Sequence, residues 1–244
     1  MILTSKNNPF IKETISLKDK KGRKEHALFL VEGEKMTAEC QKSGLQVERI
    51  IVSESYRGNI QGDVCVSDDV FKLLSDEKTP QGVLCRVKIP ERQLVAPTQK
   101  CLLLDGVSDP GNMGAIIRTA NAAGYDKLYL IGCVDPYSPK SVRASMSGIF
   151  FTEIYQGTKE EILSVLKTTP IICADLKGEN IFTFVSPEVF ALAIGNEANG
   201  ISDEVRELAA STVNIPMRTT QESLNAAVSA GIAMYALAKE QFIK

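Results

Sequence analysis

Asn112, Arg118, Glu197, Ser223 and Asn225 are the side chains of this 244-residue chain whose types and spacing could do chemistry. They fall in three segments of its C-terminal half, Asn112 to Ala120, Ile194 to Gly200 and Ile215 to Asn225, each preceded by a short apolar run. Polar side chains and glycines at the carboxyl end of a buried strand are where open α/β sheets bind ligands. The first segment has neither G-x-x-x-x-G-K-[ST] nor G-x-G-x-x-G, which excludes a P-loop and a dinucleotide fingerprint. Arg118 lies among Ala and Ile in a short helix, where a guanidinium needs a carboxylate, phosphate or carbonyl partner. A surface ion pair is the plainer reading of that arginine. In the second segment Gly195 would let a ligand approach the strand end and Glu197 is a fixed acceptor, although Gly195 and Gly200 read equally as turn residues. The third segment joins backbone groups at Ile215 and Met217 to Ser223 and Asn225 at a helix start, where free N–H groups collect; capping alone would explain Ser223. His26 is the only histidine, so Ser-His-Asp and Cys-His chemistry are excluded and a transition-metal site is not expected.

The elements that position these residues alternate between strand and helix, as a parallel sheet covered on both faces requires. The pattern predicts strands at Cys101 to Leu104, Lys127 to Ile131, Ile171 to Ala174, Phe190 to Ile194 and Val213 to Ile215. Asp109-Pro110-Gly111-Asn112 has Pro and Gly where a type II turn wants them, and a helix from Met113 to Ala123 stops at Gly124. Further helical stretches are read at Ser141 to Met146 and Glu160 to Leu166. Ser202 is placed to cap the next helix, and Thr219 with Glu222 has capping-box spacing ahead of a long helix, Ser223 to Gln241. Two prolines among polar residues between Ile89 and Lys100 mark a linker, giving domains 1–95 and 96–244. The first is a smaller α/β unit, opened by a basic helix around Phe10 to Lys21 and continued by strands at 27–31, 47–52 and 82–87 and helices at 35–43 and 68–74.

Composition bounds the partners. A hydrophobic content of 44% suffices for a substantial core. No apolar run approaches the ~18 residues of a membrane span and the N-terminus lacks a signal-peptide core, so a soluble, cytoplasmic protein is expected. The six cysteines are scattered without a C-x-x-C pair, as for reduced, buried thiols. The net charge of −2 is not that of a generally basic nucleic-acid-binding protein. The distribution says more: residues 1–100 carry 17 Lys and Arg against 14 Asp and Glu, residues 101–244 carry 11 against 16. Lys20 and Arg23 belong to a basic cluster within the first 24 residues, where phosphate contacts would concentrate if it is more than a solvated helix face.

The order and wording of the three C-terminal segments resemble the SpoU (TrmH) class of SPOUT RNA methyltransferases, and Phe29 to Gly33 with Thr79 to Val83 resemble the L30e-like substrate-binding domain found ahead of many of them. That resemblance implies a C-terminal SPOUT-type parallel sheet with a deep trefoil knot, a homodimer, and S-adenosyl-L-methionine as cofactor with no metal. It implies active-site roles for Asn112 and Arg118, with Glu197, Ser223 and Asn225 fixing geometry, and cofactor contacts at Gly195, Ile215, Met217 and Leu224. An apolar slot with a few backbone hydrogen bonds suits adenine. The activity implied is 2′-O-ribose methylation of RNA, ribosomal RNA foremost, with transfer RNA or a non-catalytic RNA-binding role as alternatives. Arg143 is a further candidate for RNA phosphate.

Overall fold

The computed structural model describes residues 2–220 and 222–242. In chain order the elements begin β1 (Ile2–Leu3), α1 (Pro9–Ser16), α2 (Lys20–His26), β2 (Leu28–Glu32), α3 (Glu34–Lys42), β3 (Val47–Ser53), β4 (Val64–Val66), α4 (Asp68–Leu74) and β5 (Val83–Lys88). There follow β6 (Cys101–Asp105), α5 (Pro110–Ala122), β7 (Lys127–Ile131), α6 (Pro139–Ser145), α7 (Gly148–Phe151), β8 (Glu153–Gly157) and α8 (Lys159–Val165). The last are β9 (Ile171–Asn180), β10 (Ala191–Gly195), α9 (Asp203–Glu207), β11 (Ala209–Asn214), α10 (Ala226–Leu237) and a 3₁₀ turn at Lys239–Gln241.

The chain forms two compact units, Met1–Glu91 with Asp135–Phe150, and Arg92–Val134 with Phe151–Lys244. The linker-like stretch changes unit at Arg92: Leu94 packs against the second core and the Tyr129 hydroxyl donates to the Val95 carbonyl at 2.6 Å. In the first unit a mixed five-stranded sheet runs in the order β1-β4-β3-β5-β2. The single basic helix expected over Phe10 to Lys21 is two helices, because the chain turns at Leu17–Asp19. Arg23 closes that break, its Nη1 donating to the carbonyls of Leu17 and Lys18 at 2.8 Å each, groups that α1 leaves free at its C-terminus.

In the second unit six parallel strands run in the order β11-β9-β10-β6-β7-β8. The two short expected strands at 171–174 and 213–215 are longer, and β8 adds a strand not read from the pattern. Cys101, Leu103, Ala191 and Ala193 face a core closed by Ile162 of α8 and Val205 of α9. Alternate residues of the same strands point to the opposite face, where α10 packs against α5 and β10. The Pro-Gly segment is not a type II turn. Asp109 is the N-cap of α5, its carboxylate accepting from the Asn112 backbone N–H at 2.9 Å, and Pro110 occupies the first helical position, where no N–H is needed. The long last helix starts later than its sequence suggests: Asn225, not Thr219, is its cap, accepting from the N–H groups of Ala227 and Val228 at 3.0 and 3.2 Å.

Candidate active site

Parallel pairing of β10 with β6 sets Gly195 beside Asp105, so the loops after both strands leave the sheet side by side. Asn196 ties them together. Its Nδ2 donates to the Gly106 carbonyl at 2.7 Å, and its Oδ1 accepts from the N–H groups of Ala198 and Asn199 at 2.9 and 3.0 Å. The loop closes on itself through paired backbone hydrogen bonds between Asn196 and Gly200. A Cβ on Gly195 would overlap the backbone of Gly200 and Ile201. Gly195 is thus required by the protein's own close approach, as the turn-residue reading of it expects.

This loop presents Glu197 to the start of α5. Asn112 Nδ2 donates to Glu197 Oε1 at 2.9 Å, Ser108 Oγ donates to Oε2 at 3.0 Å, and Asn225 Nδ2 donates to Asn112 Oδ1 at 3.0 Å. Partial burial opposes the charge on Glu197, yet the hydrogen bonds from Asn112, from its own backbone and from Ser108 hold its carboxyl below the usual carboxylate range. Residues 85 and 113 positions along the chain from Asn112 are thereby joined with it into one polar chain. Asn225 serves twice, since its Oδ1 caps α10 while its Nδ2 faces Asn112.

Beside this cluster lies a cleft of about 450 Å³. Gly195, Ile215, Met217, Ser223 and Leu224 all line it, together with Glu197. Arg206 and Asp175, joined as an ion pair, also line it, the arginine donating further from Nε to the Ile201 carbonyl at 2.9 Å. Apolar side chains with a few carboxylates and one guanidinium suit a flat aromatic group attached to a charged tail. Among the described residues no group of three or more His, Cys, Asp or Glu is placed to hold a metal ion.

Arg118 stands apart from the cluster. It is exposed on α5, six residues beyond Asn112 and therefore about 120° round the helix, and it makes no hydrogen bond or ion pair among the described residues. The plainer surface ion pair is not formed among the described residues, so the carboxylate, phosphate or carbonyl partner expected for this guanidinium is not supplied by them. In the first unit Arg23 is buried and paired with Asp135 at 2.7 Å, which removes it from the phosphate-facing surface expected of it. Arg143 is half exposed but already paired with Asp76 and Glu77, at 3.1 and 3.0 Å. Lys20 is exposed at the start of α2. Ser202 occupies an N-cap position without a side-chain cap; its backbone N–H is taken by the buried Asp105 carboxylate at 2.7 Å.

Ser108, Asn196 and the Asp175–Arg206 pair are not legible in the sequence as site residues. Ser108 has no neighbour in sequence that marks it, and its partner lies 89 residues away. Asn196 carries a weak signal, as an Asn following a strand-end glycine with the propensity to bond its own backbone two residues on.

Comparison with known proteins matches this architecture throughout. Residues 99–235 match the SpoU rRNA Methylase family and residues 8–85 the MRM3-like substrate binding domain. The chain is 32% identical to the 23S rRNA (guanosine(2553)-2′-O)-methyltransferase RlmP of Bacillus subtilis, over 96% of this chain and 98% of that protein. The AdoMet-bound rRNA methyltransferase of Sinorhizobium meliloti superposes with a TM-score of 0.89 at 27% identity, covering 100% of this chain and 99% of the other. The SpoU methyltransferase AviRb of Streptomyces viridochromogenes, in complex with AdoMet, gives 0.88 at 25% identity over 97% and 99%. The parallel sheet, the three converging loops and the match over more than half its length place this chain in the SpoU rRNA methylase family.

Proposed function

We propose that this protein transfers a methyl group from S-adenosyl-L-methionine to a ribose 2′-hydroxyl of ribosomal RNA. The observation that carries the reading is the polar chain of Glu197, Asn112 and Asn225, of which Glu197 lines the cleft. The cleft fits the cofactor: Ile215, Met217 and Leu224 offer apolar surface for an adenine ring, and Glu197 and Glu222 bring negative charge toward a sulfonium. When bound, S-adenosyl-L-methionine supplies an electrophilic methyl group. Asn112 and Asn225 each keep a second amide N–H, able to hold a ribose oxygen. Glu197, ionised, fixes the orientation of both amides. Removal of the hydroxyl proton and stabilisation of developing oxyanion charge need a further group, and Arg118 has the chemistry for the second task but not the position within one chain.

That separation supports a homodimer in which Arg118 of one copy completes the site of the other. Val228 and Tyr235, seven residues apart on α10 and 52% and 44% exposed, provide an apolar stripe for such pairing. A deep trefoil knot, with the last helix threaded through a preceding loop, belongs to the same reading. The exposed lysines 20, 21 and 24 on α2 would bind RNA phosphates. Incubating the full chain with unmodified in vitro transcribed large-subunit rRNA and methyl-labelled cofactor, followed by nucleoside analysis, tests the function. A ribose-methylated nucleoside is expected; a base-methylated one, or label transferred only to transfer RNA in a parallel reaction, would refute it.

A further inference from the structure

The Glu197 carboxylate is held at both oxygens, from two sides. Oε1 accepts from Asn112 in the first turn of α5. Oε2 accepts from Ser108, in the loop ahead of that helix, twice: from the hydroxyl at 3.0 Å and from the backbone N–H at 3.4 Å. Asn196 Nδ2, whose other N–H goes to the Gly106 carbonyl at 2.7 Å, adds a longer contact to Oε2 at 3.5 Å. Rotation about the last torsion of a glutamate is soft, so a carboxylate bound at one oxygen swings. Bound at both, it is held toward Asn112.

We propose that Ser108 is a positioning residue for methyl transfer, locking the Glu197 carboxylate and through it the side-chain amides of Asn112 and Asn225. This role deepens the ribose-methylation reading and rests on it. The direction of the chain of hydrogen bonds makes the role specific. A carboxylate only accepts, so Asn112 must turn its NH₂ group to Glu197 and its Oδ1 to Asn225. Asn225 must then turn its NH₂ group to Asn112 and its Oδ1 to the N-terminus of α10. Each amide has one allowed orientation, set at one end by the α10 cap and at the other by Glu197, and the Glu197 end is the one that Ser108 holds. Ser108 is itself exposed and belongs to neither buried core cluster, so removing its hydroxyl leaves those cores unchanged.

The test uses Ser108→Ala and Ser108→Thr in the full chain, with two measurements. The first needs neither RNA nor methyl donor: ¹⁵N–¹H spectra of the side-chain amides of Asn112 and Asn225. Ser108→Ala should shift both signals and speed their exchange with water, while Ser108→Thr, which keeps the hydroxyl, should leave them near their wild-type positions. The second is transfer to unmodified large-subunit rRNA transcript. Ser108→Ala should lower kcat about 10-fold with KM for S-adenosyl-L-methionine nearly unchanged, and Ser108→Thr should restore the rate. Unmoved amide signals in Ser108→Ala would overturn the proposal whatever the rate does. Shifted signals with wild-type kcat would overturn the catalytic role, and a loss of rate that threonine fails to rescue would do the same. If the wild-type chain transferred no methyl group while the amide signals behaved as expected, the methylation reading itself would fall, leaving only a structural network.

Discussion

Glu197 and Arg118 are opposite cases of a charged side chain, one held by donors and one without a partner among the described residues. Glu197 is surrounded by donors that favour its ionised form, so its folded pKa lies below the unfolded value of about 4.3. A carboxyl shifted in that direction contributes stability that is present above the unfolded value and lost as pH falls through the folded one. Between pH 5 and 8 it stays charged, and Glu197 should impose no titration on the rate there. Glu197→Gln should lower kcat by roughly 10²-fold at every pH in that window, because a neutral amide turns a donor toward either Ser108 or Asn112 and mis-aims it. A rate profile measured from pH 5 to 9 checks both statements, and a glutamine variant with normal turnover would exclude the orienting role. Arg118 has no partner among the described residues, which leaves it free for substrate or for a second copy. Arg118→Ala should lower transfer by roughly 10²-fold while calorimetry shows cofactor affinity nearly unchanged, since the cleft is lined from other loops. Arg118→Lys separates charge from geometry: near-normal activity would mean simple attraction, severe loss the planar fork.

Among the elements, α10 carries the most information in its first turn. Its cap residue also belongs to the polar chain with Asn112, so stability and chemistry can be separated by substitution. Asn225→Ala should cost about 1 kcal/mol of unfolding free energy together with activity. Asn225→Asp should keep the cap, since its carboxylate still accepts from Ala227 and Val228, but it lacks the N–H that reaches Asn112. Denaturant midpoints and kcat measured side by side decide this. An aspartate variant of normal activity would show that the Asn225–Asn112 link is incidental. The connection between β6 and α5 works similarly: Asp109 caps and Pro110 starts the helix, leaving the Asn112 side chain free for the site.

For the whole molecule, one expectation concerns a second copy of the chain and another concerns RNA. If Arg118 completes a site built around Asn112 in another subunit, mixing inactive Arg118→Ala with inactive Asn112→Ala should restore a substantial fraction of activity, because hybrid dimers then hold one intact site. No recovery after subunit exchange, verified by sedimentation of tagged mixtures, would count against a shared site. The first unit should supply the electrostatic grip on RNA. Replacing Lys20, Lys21 and Lys24 by Glu should weaken RNA binding, with cofactor affinity untouched. The salt dependence of that binding should flatten by roughly 0.7–0.9 for each phosphate no longer neutralised, as a salt titration of both proteins would show. Arg23→Ala should act otherwise, destabilising the first unit through the exposed carbonyls of Leu17 and Lys18 and the unpaired Asp135.

Much of this protein follows from local pattern. Short buried strands alternating with helices imply a parallel sheet, and polar residues just past strand ends imply a site there; Asn112, Glu197, Ser223 and Asn225 are legible for that reason. Helix starts are less so, because Thr219 with Glu222 and Pro110 with Gly111 satisfy more than one local rule, and packing of α10 and α5 decides between them. What tertiary structure alone decided are the relations between distant residues. Arg23 turns inward because an α-helix ends beside it and Asp135 arrives from 112 positions away. Gly195 is needed because the loop after β10 folds back onto it, and Ser108 matters because strand order lays its loop against that of Glu197. Such contacts depend on register and strand order, which the period of a single segment does not encode.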